Sequence, residues 1–186
     1  MHMDPKELRV VEAALGLFRK LGFQKVTMSD IAQAVGISRP TLYALFPNKK
    51  AIFGKFVSSH FEQMEQDTDK RLAAAENLGQ RLDVVFDVWV ISPVSQALDT
   101  EEGRDVIAHC ELYAPDAVTD LYDRLERRIF QAIKTEASGS VKAKDTARIL
   151  RTAAKGLKST TTDLGDLKRV IRTLISMTTR LFEDGR

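Results

Sequence analysis

Cysteine is almost absent from this chain, which carries a single thiol, Cys110, among its 186 residues. One thiol excludes an intramolecular disulfide, and without a second thiol the chain cannot form a metal site of the CxxC type. Such scarcity is typical of a protein from a reducing compartment. We expect a fold that depends on no disulfide, no bound metal and no cofactor.

Long hydrophobic runs are also absent. The longest uncharged stretch, residues 88–98, contains a proline and is far shorter than the roughly 20 apolar residues of a membrane-spanning helix. The N-terminus carries Asp4, Lys6, Glu7 and Arg9 where a signal peptide would have an apolar core. We expect a cytoplasmic protein with no membrane partner.

Catalytic motifs are missing as well, since no HExxH, GxSxG, Walker or GxGxxG pattern occurs. His109 and Cys110 are neighbours, and neighbouring residues of a helix project about 100° apart, which prevents them from acting together as nucleophile and base. His60 lies on an apolar stripe, where a histidine is more often part of the core. We therefore expect no enzyme activity.

Apolar residues recur every three or four positions along the whole chain, as in Leu8, Val11, Leu15 and Phe18. This spacing is that of amphipathic helices. The sequence predicts an all-α fold of about nine helices without strands, in which Ser92-Pro93 interrupts one helix. The longer predicted helices cover residues 6–21, 49–75, 80–91, 103–113, 117–137, 142–158 and 163–183.

Residues 26–52 combine helix caps, a turn glycine and exposed polar side chains. Thr27 and Asp30 have the spacing of a capping box, which predicts a short helix over 28–35. Gly36 ends that helix, because the sharp turn needs a residue that tolerates positive φ. Ser38 is the next N-cap, and Pro40 is harmless in the first turn of a second helix over 39–46.

The second of these helices has two different faces. Leu42, Leu45 and Phe46 are three or four residues apart and are predicted to face the core. The polar and cationic side is left outward, with Arg39, Thr41, Tyr43 and Ala44. Two short helices arranged in this way predict a helix-turn-helix, the geometry that inserts a helix into the major groove of DNA.

The charge distribution agrees with a DNA-binding N-terminus. Residues 1–50 contain 8 Lys and Arg against 4 Asp and Glu, whereas residues 51–186 contain 20 against 22. A local excess of this size is enough to contact a few phosphates. Lys49 and Lys50, at the start of a helix where the dipole disfavours cations, are either phosphate contacts or a solvated pair.

From Thr27 to Lys49 the chain reads T-x-x-D-I-A-x-x-x-G-I-S-x-x-T-L-Y-x-x-F-x-x-K. This pattern resembles the DNA-binding signature of TetR-type bacterial repressors. The resemblance implies a DNA-binding domain over residues 1–48 and a helical effector-binding and dimerisation domain over residues 49–186. It further implies a homodimeric repressor that binds a palindromic DNA operator and is released by a small-molecule effector. The predicted DNA-binding residues are Thr27, Ser38, Arg39, Pro40, Thr41, Tyr43 and Lys49.

The last two predicted helices carry apolar bands wide enough to pack within the protomer and against a partner. An internal bundle in a monomer is the alternative. The predicted dimer-interface residues are Leu150, Ala154, Leu157, Leu167, Ile171, Leu174, Thr178 and Leu181. The central helices supply the effector-binding candidates, which are Phe86, Trp89, Val90, His109 and Tyr113, and core packing is the alternative for most of them. A helix-turn-helix module that organises the nucleoid or binds another protein, without an effector, also remains open.

Overall fold

The computed structural model describes residues 4–98, 101–136, 142–160 and 163–184, without the side chains of residues 102, 105–109 and 184. Over these residues the protein forms nine helices and no strand. The all-α prediction, with its three N-terminal helices, is confirmed. The helices are α1 (Pro5–Leu21), α2 (Met28–Val35), α3 (Arg39–Leu45), α4 (Lys49–Leu72), α5 (78–98), α6 (Glu101–Tyr113), α7 (Pro115–Ile133), α8 (Ala143–Thr160) and α9 (Leu164–Asp184).

Helix α5 continues through Pro93, so the predicted interruption at Ser92-Pro93 is wrong. Between the α-helical sections Leu78–Phe86 and Ser92–Leu98, residues Asp87–Ile91 form one π-helical turn. The N–H of Ser92 donates to the carbonyl of Asp87, five residues earlier. A proline lacks an N–H and its ring clashes with the carbonyl four residues before it. The wider turn immediately before Pro93 accommodates both effects, so the helix is not broken.

The contacts of the chain define two compact units. The first comprises Met1–Glu62 and Thr100–Val118, and the second comprises Gln63–Asp99 and Thr119–Arg186. The first unit therefore extends past residue 48 and includes α6. The boundary between residues 48 and 49 stays a prediction.

The interior of the first unit is rich in aromatic rings. Phe18 and Phe23 lie 4.8 Å apart between ring centroids, and Phe53 of α4 meets Phe23 edge-on at 5.7 Å. Tyr113, at the end of α6, stacks on Phe23 with centroids 3.9 Å apart. This cluster anchors the loop between α1 and α2, because Phe23 belongs to that loop.

The second unit has an apolar interior crossed by a few polar contacts. Trp89 is 1% exposed, and its indole N–H donates to Oγ1 of the fully buried Thr68 at 2.8 Å. Arg128 of α7 donates to the carboxylates of Glu65 and Asp69 on α4. These contacts join the C-terminal half of α4 to α5 and to α7.

Candidate nucleic-acid interface

Helix α2 begins at a complete capping box. The Thr27 N–H donates to Oδ2 of Asp30 at 2.8 Å, and the Asp30 N–H donates to Oγ1 of Thr27 at 3.2 Å. The bond from the Thr27 N–H, together with one that the Thr27 hydroxyl donates to the same Oδ2 at 2.7 Å, stabilises the charged carboxylate and holds the pKa of Asp30 below its ordinary value. The helix ends at Gly36, whose φ of 76° and ψ of 34° lie in the left-handed region. Local sequence therefore defines both ends of α2.

Helix α3 presents its polar side to solvent, as predicted from its sequence. Oγ of Ser38 accepts from the N–H of Thr41 at 3.2 Å and caps the first turn. Leu42 is fully buried, whereas Tyr43 is 46% exposed. The exposed side chains of α3 and its cap are Ser38, Arg39, Pro40, Thr41, Tyr43 and Ala44. All the predicted DNA-binding residues from Ser38 to Tyr43 thus lie together at the N-terminal half of one capped helix.

Lys49 is placed differently from the prediction of a phosphate contact. Its Nζ donates to the carbonyls of Phe23 at 2.7 Å, Gln24 at 3.0 Å and Val26 at 2.8 Å. An ammonium group has three N–H donors, so this arrangement engages all of them. These contacts engage the three donors within the protein and favour a structural role for Lys49, and the predicted contact with DNA stays a prediction.

The neighbouring Lys50 is exposed, in contrast to Lys49, which is partly buried. Burial lowers the pKa of Lys49 from its ordinary value, since removal from water disfavours the ammonium. Arg39 and Lys25 are exposed cations of the same unit. Sequence reasoning could not separate Lys49 from Lys50, because the carbonyls that engage Lys49 are more than 20 residues away along the chain.

The motif matches a known family. The sequence model for bacterial regulatory proteins of the tetR family matches residues 10–55, which include α2, α3 and the turn between them. Residues 10–55 thus carry the DNA-binding motif of the TetR family of transcriptional regulators.

Individual relatives agree with this assignment. YhgD, an uncharacterised helix-turn-helix regulator of Bacillus subtilis (strain 168), is 22% identical over 77% of this chain and 72% of its own length. The repressor ComR of Escherichia coli (strain K12) is 25% identical, and the match spans 63% of this chain but only 55% of ComR. Both relatives are transcriptional regulators by name.

Solved structures extend the likeness to the whole fold. Thermus thermophilus FadR, a TetR-family repressor crystallised in complex with lauroyl-CoA, superposes with a TM-score of 0.62 at 20% identity. The superposition covers 96% of this chain and 94% of FadR. A likeness at this level of identity shows a shared fold, and it carries no information about a ligand of this chain.

The predicted effector-binding residues belong to both compact units. Trp89 and Val90 are 1% and 2% exposed in the interior of the second unit, whereas Tyr113 is buried in the first unit against Phe23. The side chain of His109 lies outside the described residues. Burial of this kind favours core packing, the alternative given above, for Trp89, Val90 and Tyr113, and their effector-binding role stays a prediction. Their hydrophobicity could not distinguish core from pocket, because both require apolar side chains.

Phe86 borders a groove of about 460 Å³ between α4, α5 and α9 in the second unit. Apolar side chains of α5 and α9 share its lining with charged ones. Arg71 donates to Oδ2 of Asp87 at 2.7 Å along this groove, and burial raises the pKa of the nearby Asp83. The lining residues are Arg71, Asp83, Val84, Phe86, Asp87, Ile91, Lys168, Ile171, Arg172 and Ile175.

The predicted dimer interface divides into two sets. Leu157 and Leu174 are half-buried and Leu181 is exposed, so these three can meet a partner. The other five residues are buried within the protomer, which favours the alternative of an internal bundle for them, and their interface role stays a prediction. These five are Leu150, Ala154, Leu167, Ile171 and Thr178.

Exposed apolar side chains lie on α8 and α9, and two of them, Ile149 and Met177, were not among the predicted interface residues. Ile149 and Met177 are each 64% exposed, and Leu181 is 48% exposed. On α9, Val170, Leu174, Met177 and Leu181 recur three or four residues apart and form one stripe. The width of the apolar band on α9 was the signal in the sequence. Which side of that band faces the protomer depends on tertiary packing.

Two further findings concern the described residues. None of the helices in this part of the chain combines the length and the apolar character needed to cross a bilayer. Within the same residues, no three His, Cys, Asp or Glu side chains are grouped as ligands for a metal ion.

Proposed function

We propose that this protein is a homodimeric transcriptional repressor of the TetR family that binds a palindromic operator in the cytoplasm. The observation that carries the proposal is the exposed polar side of α3, which is capped at Ser38 and held by the buried Leu42 and Phe46. A short helix that is rigidly seated and exposes Arg39, Thr41 and Tyr43 is suited to base edges and phosphates in the major groove.

The exposed face on α8 and α9 supports dimerisation. An apolar stripe with exposed methionine and leucine side chains on α9, together with the exposed Ile149 on α8, is characteristic of a surface that another chain covers. A two-fold dimer joins two copies of α3, and each copy reads a half-site about one helical turn, or a multiple of it, from the other. Affinity for a palindrome follows, because a single short helix contacts few base pairs.

A small-molecule effector is part of the proposal. The groove beside Phe86 lies in the second unit, away from α3 along the chain, and it offers apolar walls together with Arg71, Lys168 and Arg172. Such a lining favours a ligand with both apolar and anionic parts. Release of DNA requires that the effector bind more tightly to the DNA-free state, typically by about 1–3 kcal/mol of coupling free energy.

Footprinting of the purified protein on DNA from around its own gene tests the proposal. We expect protection of one or a few palindromic sites with half-sites in register with the helical repeat. Addition of a metabolite handled by the adjoining genes should then remove that protection. Many dispersed sites without a palindrome would contradict the operator proposal and favour an architectural role. Protection by a monomeric protein would contradict the dimer.

A further inference from the structure

The ammonium of Lys49 joins the start of α4 to the loop between α1 and α2. We propose that Lys49 is a positioning residue of the DNA interface, which fixes this loop and through it the orientation of α2 and α3, without contacting DNA itself. The inference rests on the proposed DNA-binding function, but it makes a structural claim that can be tested without DNA.

The geometry around Nζ is that of a complete carbonyl cage. The carbonyls of Phe23, Gln24 and Val26 lie 2.7, 3.0 and 2.8 Å from Nζ, and the Phe23 ring centroid lies 4.7 Å from it. The side chains of Phe23 and Val26 are 4% and 1% exposed, so their burial anchors one face of the loop. On the opposite face, the carbonyls of the loop accept hydrogen bonds from Lys49.

The loop leads directly into the recognition motif. Val26, whose carbonyl binds Nζ, precedes Thr27, and Thr27 caps α2 through its reciprocal hydrogen bonds with Asp30. Helix α2 ends at Gly36, and only Ile37 separates this glycine from Ser38, the cap of α3. A displacement of the loop would therefore be transmitted to α3 through two short and well-defined connections.

The position of the charge indicates a role in geometry more than in overall stability. Lys49 is the first residue of α4, where the helix dipole opposes a cation, and burial lowers the pKa of its ammonium. These costs oppose the contribution of the three hydrogen bonds to stability. The net contribution of such an ammonium to the stability of the fold is small compared with its effect on how its partner carbonyls are arranged.

Lys50 provides a matched control, because it is the next residue in the same helical turn and its side chain is exposed. Lys49→Met keeps most of the side-chain length beside the Phe23 ring and removes the ammonium, and Lys50→Met removes the same charge without affecting the cage. Operator and non-specific duplexes of equal length are titrated at several salt concentrations. Amide hydrogen exchange of the DNA-free proteins is measured over residues 23–31.

We expect Lys49→Met to bind the operator about tenfold more weakly, which is the lower end of the loss known for residues that orient the ligands of a metal ion. Its salt slope and its non-specific affinity should match the wild type, and its amides over 23–31 should exchange faster. Lys50→Met should instead lower the salt slope by about one unit on both duplexes, as expected for a lost phosphate contact. Its amide exchange should be unchanged.

The proposal is overturned if Lys49→Met lowers the salt slope by about one unit on both duplexes and leaves amide exchange unchanged. If Lys49→Met does not fold, nuclear magnetic resonance of the lysine ammonium groups in the wild-type protein provides the test. Slow hydrogen exchange of the Lys49 ammonium that DNA does not alter supports the cage, and fast exchange overturns it. Failure of the wild type to bind any operator would refute the proposed function, while the exchange comparison would still test the cage.

Discussion

Replacing Trp89 with phenylalanine is expected to destabilise the second unit, and the structure gives the size of the effect. The indole N–H donates to Oγ1 of Thr68 at 2.8 Å, with the two residues 1% and 0% exposed. Loss of this buried hydrogen bond should cost about 1 kcal/mol. The smaller ring leaves unfilled space that costs about 1–2 kcal/mol more. The free energy of unfolding should therefore fall by about 2–3 kcal/mol in Trp89→Phe.

A double-mutant cycle separates the hydrogen bond from the packing. Thr68→Val keeps the shape of the threonine but leaves the indole N–H without an acceptor, which should cost about 1–3 kcal/mol. In the double variant the second change should cost about 1 kcal/mol less than it does alone, because the hydrogen bond is already lost. Urea unfolding is followed by circular dichroism, since Trp89 is the only tryptophan. One fixed protein concentration is used, because dimerisation would couple to unfolding.

The reasoning is refuted if the coupling energy between Trp89 and Thr68 is zero within about 0.3 kcal/mol. It is also refuted if Trp89→Phe unfolds like the wild type but binds the effector more weakly. That second result would restore Trp89 to the effector pocket, as its sequence environment had suggested. We expect instead that an effector which releases DNA affects Trp89 fluorescence little.

Four further expectations concern the recognition motif and the dimer. Tyr43→Ala should weaken operator binding by about 1–3 kcal/mol with an unchanged melting temperature, and equal affinity in a gel-shift assay would remove Tyr43 from the interface. Met177→Asp should sediment as a monomer, because the exposed apolar face would bury a charge, whereas Ser176→Asp on another side of α9 should remain dimeric. Thr27→Ala should lower the free energy of unfolding by about 1 kcal/mol through loss of the α2 cap, as urea titration would show. Asp30, whose folded pKa is held below 3.8, contributes stability above that pH that is lost as pH falls through the lowered pKa. Acid titration of Asp30→Asn should lack this loss.

The recognition motif could be predicted because its determinants are local. Thr27 with Asp30, Gly36, and Ser38 each act on backbone groups within four residues, so their spacing alone predicts the caps and the turn. The outward side of α3 followed from the position of Leu42 on the helix. The same kind of local reasoning failed at Pro93, where a π-helical turn keeps α5 continuous and the long helix is held by tertiary contacts.

Tertiary structure decided every question that depends on distant residues. Lys49 and Lys50 are equivalent in sequence, and only the carbonyls of the loop between α1 and α2 distinguish them. The sequence of α9 likewise does not show which side of its wide apolar band faces the protomer, because that depends on how α5 and α8 pack against it. Periodicity determines that a helix has an apolar side, because it reflects the geometry of one helix. Which apolar residues remain exposed for a partner depends on how much area the neighbouring helices cover, and that is a property of the assembled fold.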